Sequence, residues 1–381
     1  MIIASIINLH NLQCSAAFLE YKRDTKRSLL SKIILQDDVY DDVLKQKQKR
    51  GERFRHDRLD LDRHFDMCRR TKGFQRRYHM SEASFLKLVD ILGDDIKIDA
   101  AQSRRSTSGN EPITSKMVVA IGLRYMGGEC AKSLADIFGM SIKSSERVID
   151  KFLYAVDKNK HQSLSISLPV TECERQKMAD EWHQRSGAFG IYFGMLGAID
   201  GWLCTIEKPN DVPNPSEYFS GHYQKFGFNV QAICDANLRF IHFAVAGKGS
   251  TNDARAFRKM TVLRQWLENL KELGFFLIGD NAYPLMNTLL IPFSGVEAHD
   301  YWKDIYNFYL SQLRIRIEMT FGRLTTKWRI FRTDLPANNG SEKNTRIIRV
   351  GAKLHNYVIN LDQLNFLSVP DVDFDSIDVE P

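Results

Sequence analysis

Met195-Leu-Gly-Ala-Ile-Asp-Gly201 and Phe275-Phe-Leu-Ile-Gly-Asp-Asn-Ala-Tyr283 are two short apolar runs, and each delivers an aspartate where the chain turns polar. Runs of this length, bounded by Gly and Asn, read as buried strands. Asp200 and Asp280 are therefore each expected to end a strand and to emerge at the edge of a sheet. A carboxylate beside such a core is costly to ionise unless a cation or hydrogen-bond donors compensate. One strand-terminal Asp is an ordinary turn former. Two in equivalent places require a shared explanation.

A third acid supplies it. Ile305 to Phe331 reads as one long helix with an apolar stripe of Leu310, Leu313, Ile317, Phe321, Leu324, Trp328 and Phe331, at steps of three or four. Glu318 lies on the shoulder of that stripe, where it can flank a sheet. Gly322 shares its face and is read as room for a backbone or an ion to approach. The plainer alternative for Glu318 is a surface ion pair with Arg314, one turn earlier. Three converging oxygen ligands without a His or Cys cluster suit Mg²⁺ or Mn²⁺. Two such ions, about 4 Å apart, activate a water or hydroxyl and stabilise the leaving oxygen of a phosphodiester. The acids are then ligands, unlike the paired acid and base of a glycosidase.

Outward from these acids, Gly190–Ile199, Phe226–Ile233 and Arg239–Ala246 read as three strands. Asn252 or Asp253 starts a helix carrying Phe257, Val262, Trp266 and Leu270. Phe275–Ile278 and Leu289–Phe293 are further short strands. The expected order is strand-strand-strand-helix-strand-helix-strand-helix, an α/β, ribonuclease-H-like catalytic domain (mixed sheet with helices) over 185–335.

A helical, helix-turn-helix-like domain is expected before it, over 74–160. Ser81 caps a helix with Phe85, Leu88, Val89 and Leu92, and Pro112 and Thr114 open one with Met117, Val118, Ile121 and Tyr125. Leu134, Ile137 and Phe138 give the next helix an apolar face. Gly139 then supplies a left-handed turn, and Ser141 caps a helix with Val148, Ile149 and Phe152. Ser145 stands where a buried aliphatic is usual. Such a unit serves DNA contact or packing alike.

Residues 1–73 are expected to be a basic, partly disordered region. Lys45 to Arg77 holds thirteen Lys/Arg against five Asp/Glu, which suits a solvated linker, a phosphate-facing arm or a nuclear-import patch. Residues 336–381 read as a C-terminal helix and an acidic tail with Asp371, Asp373, Asp375, Asp378 and Glu380. Over all 381 residues, 43% are hydrophobic and the net charge is +6, which permits a polyanionic partner without requiring one. The six cysteines form no CxxC pair, so a zinc knuckle is not expected and reduced, intracellular thiols are. Met1–Leu19 lacks a basic leader, and no window offers the ~20 apolar residues of a membrane span.

The chain resembles the DDE endonucleases of the PIF/Harbinger transposase superfamily, including their domesticated nuclease relatives. The matching segments are Gly197-Ala-Ile-Asp-Gly201, Tyr223-Gln-Lys-Phe-Gly-Phe-Asn-Val-Gln231 and Gly249-Ser-Thr-Asn-Asp-Ala-Arg-Ala-Phe257. Gly279-Asp-Asn-Ala-Tyr-Pro284 and Arg316-Ile-Glu-Met-Thr-Phe-Gly-Arg-Leu324 follow in the family's order, and His355-Asn356 is similar to its closing helix. The resemblance implies cleavage of DNA at transposon ends and strand transfer by the freed 3′-hydroxyl, with two Mg²⁺ or Mn²⁺ ions. Asp200, Asp280 and Glu318 match the metal-binding triad. Asp253 matches a recurrent acid, for which a helix cap or a supporting role behind the ligands is expected. Lys225, Arg314, Arg316 and Lys327 are candidate phosphate contacts, with solvated surface charge as the alternative.

Two features depart from the family: Trp202-Leu203 replaces a Thr-His-like pair, and Glu207–Tyr218 carries three prolines. A Myb-like protein encoded beside such transposases often supplies DNA binding and nuclear import. The resemblance thus implies double-stranded DNA, a Myb-like accessory protein and a homodimer as partners, a nuclear location and no membrane. The alternative is a domesticated, catalytically silent DNA-binding or scaffold protein.

Overall fold

Capping side chains set the helix starts in the first half of the chain. The computed structural model describes residues 57–99, 111–185, 192–210, 212–295, 298 and 300–362. Asp60 caps α1 (Leu61–Arg70), α2 (Phe74–Tyr78) follows Gly73, and Ser81 caps α3 (Glu82–Leu92). Thr114, Cys130 and Ser141 begin α4 (Ser115–Met126), α5 (Ala131–Phe138) and α6 (Ile142–Lys158). Each accepts a hydrogen bond from the backbone N–H three residues on, satisfying a donor the helix leaves open. Phe65, Phe74, Tyr78 and Phe85 meet edge-on or tilted, with ring centroids 4.7 to 5.6 Å apart.

The turn between α5 and α6 requires its glycine twice over. Gly139 has φ +64°, and a Cβ there would lie 1.9 Å from the Asp57 carbonyl oxygen. Ser145 is fully buried, so a polar residue occupies a core position, whereas Ile137, expected on the apolar face, is 38% exposed. Part of the basic segment is ordered: α1 buries Leu61, Phe65 and Cys68. Residues 1–56 and the acidic tail lie outside the described residues.

After α7 (Glu172–Arg185) come β1 (Met195–Thr205), β2 (Phe219–Ser220), β3 (Lys225–Cys234) and β4 (Phe240–Lys248). Then follow α8 (Asp253–Lys259), α9 (Thr261–Glu268), β5 (Phe276–Ile278), β6 (Leu289–Leu290), α10 (Tyr301–Lys327) and α11 (Gly340–Asp362). β4, β3 and β1 are antiparallel neighbours, and β5 and β6 continue beside β1 in parallel. β2 pairs only with the start of β3. The order β4-β3-β1-β5-β6, with helices on both faces, is a ribonuclease-H-like α/β fold.

Three expectations need correction. β1 runs six residues past Ile199, so Asp200 lies within a strand, because residues as far as Thr205 keep pairing with β3. Among the described residues no helix separates β5 from β6. The helix expected from Asn252 divides at Met260, whose ψ of 74° breaks the helical path into α8 and α9.

A bulge decides which way β1 presents its residues. Its pairing with β5 shifts register between Met195 and Gly197. Met195 packs in the core on the α10 side and Leu196 in the core on the α8–α9 side. Beyond the shift, Ala198 faces the first core and Ile199 the second. Alternation then turns Asp200 and Trp202 toward α10, and Gly201 toward α8. Without the extra residue every one of these side chains would point the other way.

α11 joins the sheet to the helical layer. Its Asn356 amide mimics a strand partner for β4, donating to the Phe240 carbonyl at 2.7 Å and accepting from the Phe240 N–H at 2.8 Å. On its other side, Arg349 forks onto Asp157 of α6 at 2.8 and 2.6 Å. Lys353 donates to the carbonyls of Val156, Asp157 and Asn159 at the end of that helix. Tyr357 reaches the Ser84 carbonyl at 2.6 Å. One continuous core therefore holds α1–α6, α10, α11 and one face of the sheet.

Candidate active site

β1 and β5 are parallel and pair only as far as Ala198 and Ile278. β5 ends at Ile278 while β1 continues to Thr205 along β3, which leaves a crevice beside β1 at the carboxyl end of β5, the usual ligand position in such sheets. A cleft of about 750 Å³ occupies it, and Asp200, Asp253, Asp280 and Glu318 all line it.

Asp200 accepts from the Gly201 N–H at 2.8 Å and from Arg314 Nη1 at 3.3 Å. Burial, more than any other cause, pushes its carboxyl up to about 6; the Asp280 and Asp253 charges add to this, while the Gly201 N–H and Arg314 oppose it. Asp280 lies two residues past β5 and accepts from the Ala282 N–H at 3.0 Å. Burial raises its pKa too, with Asp253 adding and the Ala282 N–H and Arg314 opposing. Glu318 stands on α10 with its side chain 49% exposed and binds Arg314 Nη2 at 2.8 Å. The ion pair that the sequence offered as the plain alternative is thus formed, and the same guanidinium also reaches Asp200.

Asp253 is held differently. Asn252, not Asp253, caps α8, accepting from the Arg255 N–H at 2.9 Å. The Asp253 carboxylate turns to the sheet and accepts from Asn229 at 2.9 Å and Gln231 at 2.6 Å. Gln231 in turn accepts from the Tyr283 hydroxyl at 2.5 Å. Gly201 makes room for this contact, since a Cβ there would come 2.3 Å from Asp253 Oδ1. Burial, and then the charges of Asp253, Asp200 and Asp280, raise the phenols of Tyr283 and Tyr223. The three aspartates therefore form one electrostatic cluster.

The sequence did not assign roles to Asn229, Gln231 or Tyr283. Their signal was present: Asn229 and Gln231 alternate with Phe228, Val230 and Ala232 in a strand otherwise fit for burial. Trp202 packs on Phe321 and Phe331, with centroids 5.7 and 5.5 Å away, and lines the cleft. Gly322 faces open space, where a Cβ would meet nothing within 4 Å, so packing does not demand the missing side chain.

Of the four cations proposed to contact phosphate, only Arg314 stands among the acids. Lys225 lies at the start of β3, 3.2 Å from Asp334. Arg316 donates to the Ala236 carbonyl at 3.3 Å, by the β3–β4 turn. Lys327 has its ammonium buried, where its charge acts on His79 and His355, so it is not placed to meet DNA.

The donor set, all carboxylate oxygen, fits a hard divalent cation. Among the described residues, however, no three His, Cys, Asp or Glu side chains converge closely enough to enclose one ion. Arg314 stands between two of the acids instead.

Residues 199–356 match the family described as DDE superfamily endonuclease. "Protein ALP1-like" of Arabidopsis thaliana is 24% identical over 306 residues, covering 76% of this chain and 71% of the relative. A solved structure titled "Mos1 transposase paired-end complex with left transposon end" is 12% identical over 53% of this chain and 75% of that one. Its TM-score of 0.18 is too low to bear on fold or function. The acids of the cleft fall inside the matched span: Asp200, Asp253, Asp280 and Glu318 all lie within residues 199–356, the part of the chain that is similar to the DDE superfamily endonucleases.

Proposed function

We propose that this protein is a metal-dependent DNA endonuclease of the PIF/Harbinger transposase type, cutting phosphodiester bonds at transposon ends and joining the 3′-hydroxyl to target DNA. The observation that carries this reading is the meeting of Asp200, Asp280 and Glu318 in one cleft from three separate elements. These residues would hold two Mg²⁺ or Mn²⁺ ions, which when bound supply an activated water or hydroxyl and a stabilised leaving oxygen. Asp253, clamped by Asn229 and Gln231, supports the site from the opposite face of β1. Double-stranded DNA is the partner this chemistry needs, with a Myb-like accessory protein and a homodimer as further partners and the nucleus as location. No helix among the described residues is long and apolar enough to cross a membrane.

A second reading, a domesticated and catalytically silent DNA-binding or scaffold protein, is favoured by the Arg314 bridge between Asp200 and Glu318. Nicking of supercoiled plasmid in Mg²⁺ or Mn²⁺ separates the two. Wild type is expected to cut, and Asp280→Ala and Glu318→Ala to bind DNA with cutting reduced by about a hundredfold or more. Wild type that stays inert, even with a Myb-like partner and the element's own ends, would support the scaffold.

A further inference from the structure

Arg314 and Glu318 share a face of α10, one turn apart. The Arg314 side chain is 25% exposed and its guanidinium forks between elements, with Nη2 2.8 Å from Glu318 and Nη1 3.3 Å from Asp200. Its charge lies among the acids and opposes the upward shift at both Asp200 and Asp280. An arginine does not leave such a place by losing its proton. It leaves by exchange, when a cation takes the carboxylates and another anion takes the guanidinium. A planar fork matches phosphate as well as it matches two carboxylates.

We infer that Arg314 is an exchangeable counter-ion: without metal and DNA it bridges Asp200 and Glu318 and keeps divalent cations out, and on loading it transfers to a DNA phosphate. The inference rests on the reading that these acids bind divalent metal and extends it to regulation of that site. It explains why the acids share a cleft yet do not converge on one ion. It also makes metal and DNA binding mutually reinforcing, since each removes the competitor or supplies the acceptor for the other.

The test is Mn²⁺ binding followed by the paramagnetic resonance of free Mn²⁺, with no cleavage readout. Arg314→Gln is expected to bind Mn²⁺ about tenfold or more tightly than wild type without DNA, because a unit charge beside the ion is gone. Arg314→Lys, a point charge without the fork, should fall between them and serves if the glutamine variant melts early. A short DNA duplex should tighten Mn²⁺ binding to wild type more than to Arg314→Gln. Adding Asp280→Asn to Arg314→Gln should abolish the gain and so locate it at the acids. Equal Mn²⁺ affinity in wild type and both folded Arg314 variants, or equal tightening by DNA, would overturn the inference while the metal reading stood. Absence of Mn²⁺ binding in every variant would instead defeat the metal reading, and the inference with it.

Discussion

At the scale of single residues, Asp200 carries a cost that its function would explain. Its carboxyl titrates near 6 in the fold against an ordinary 3.8, chiefly because it is buried. The folded protein therefore holds this proton where the unfolded chain has released it. Stability falls as pH rises from about 4 to about 6, and the loss persists above that window. In a chelator at pH 7.5, Asp200→Asn is expected to be more stable than wild type by roughly 1–3 kcal/mol. Thermal melting should show the gain vanish below about pH 4. Mn²⁺ at a concentration high enough to displace Arg314 should raise the melting temperature of wild type but not of the variant. A variant less stable than wild type at pH 7.5 would mean that hydrogen bonding at Asp200 outweighs its desolvation.

At the scale of elements, β1 has to be approached closely from both sides. Toward α10, Trp202 fills the space against Phe321 and Phe331. Toward α8, Gly201 leaves room for Asp253 and its partners Asn229 and Gln231. Gly201→Ala is thus expected to push the Asp253 carboxylate off β3 and cost roughly 1–3 kcal/mol, as overpacking of a filled site does. Urea unfolding measures this directly. An alanine variant as stable as wild type would show that the α8 start yields freely. The same close approach binds α11 to β4, where one buried amide satisfies both backbone groups of Phe240.

Over the whole molecule, the helical layer and the sheet are not separable beads. Arg349, Lys353 and Tyr357 of α11 bind α6 and the start of α3, while His355 and Asn356 of the same helix bind the Leu238 and Phe240 backbone. A fragment of residues 185–362 would expose the apolar face of α11 and lose these partners. It is expected to lack a cooperative thermal transition, whereas the full chain unfolds its described part in one step. A fragment that melts sharply and disperses its amide resonances would show that the sheet half folds alone.

Much of this was legible in local pattern. Helix caps at Ser81, Thr114 and Ser141, the stripe from Leu310 to Leu324, and the apolar runs ahead of Asp200 and Asp280 depend on neighbours a few residues away, so one chain shows them. The expected continuation of that helix to Phe331 fails because Trp328, with ψ 84°, ends it and Phe331 lies in a separate turn. The sequence alone thus determined most element types, though not the absence of a helix between β5 and β6, and brought forward the acids. It did not determine where β1 stops, because strand length is set by the partner, and β3 continues to pair as far as Thr205. Nor did it reveal the bulge at Met195–Gly197, one extra residue that turns Asp200 toward α10 and Gly201 toward Asp253. The place of each cation was equally hidden. Lys327 and Arg314 are both basic residues of one helix, yet one tucks its ammonium away from solvent, where its charge acts on two histidines, and the other bridges two acids. Local periodicity says which residues share a face; only the tertiary structure decided which face meets the carboxylates, since that depends on strands more than a hundred residues away.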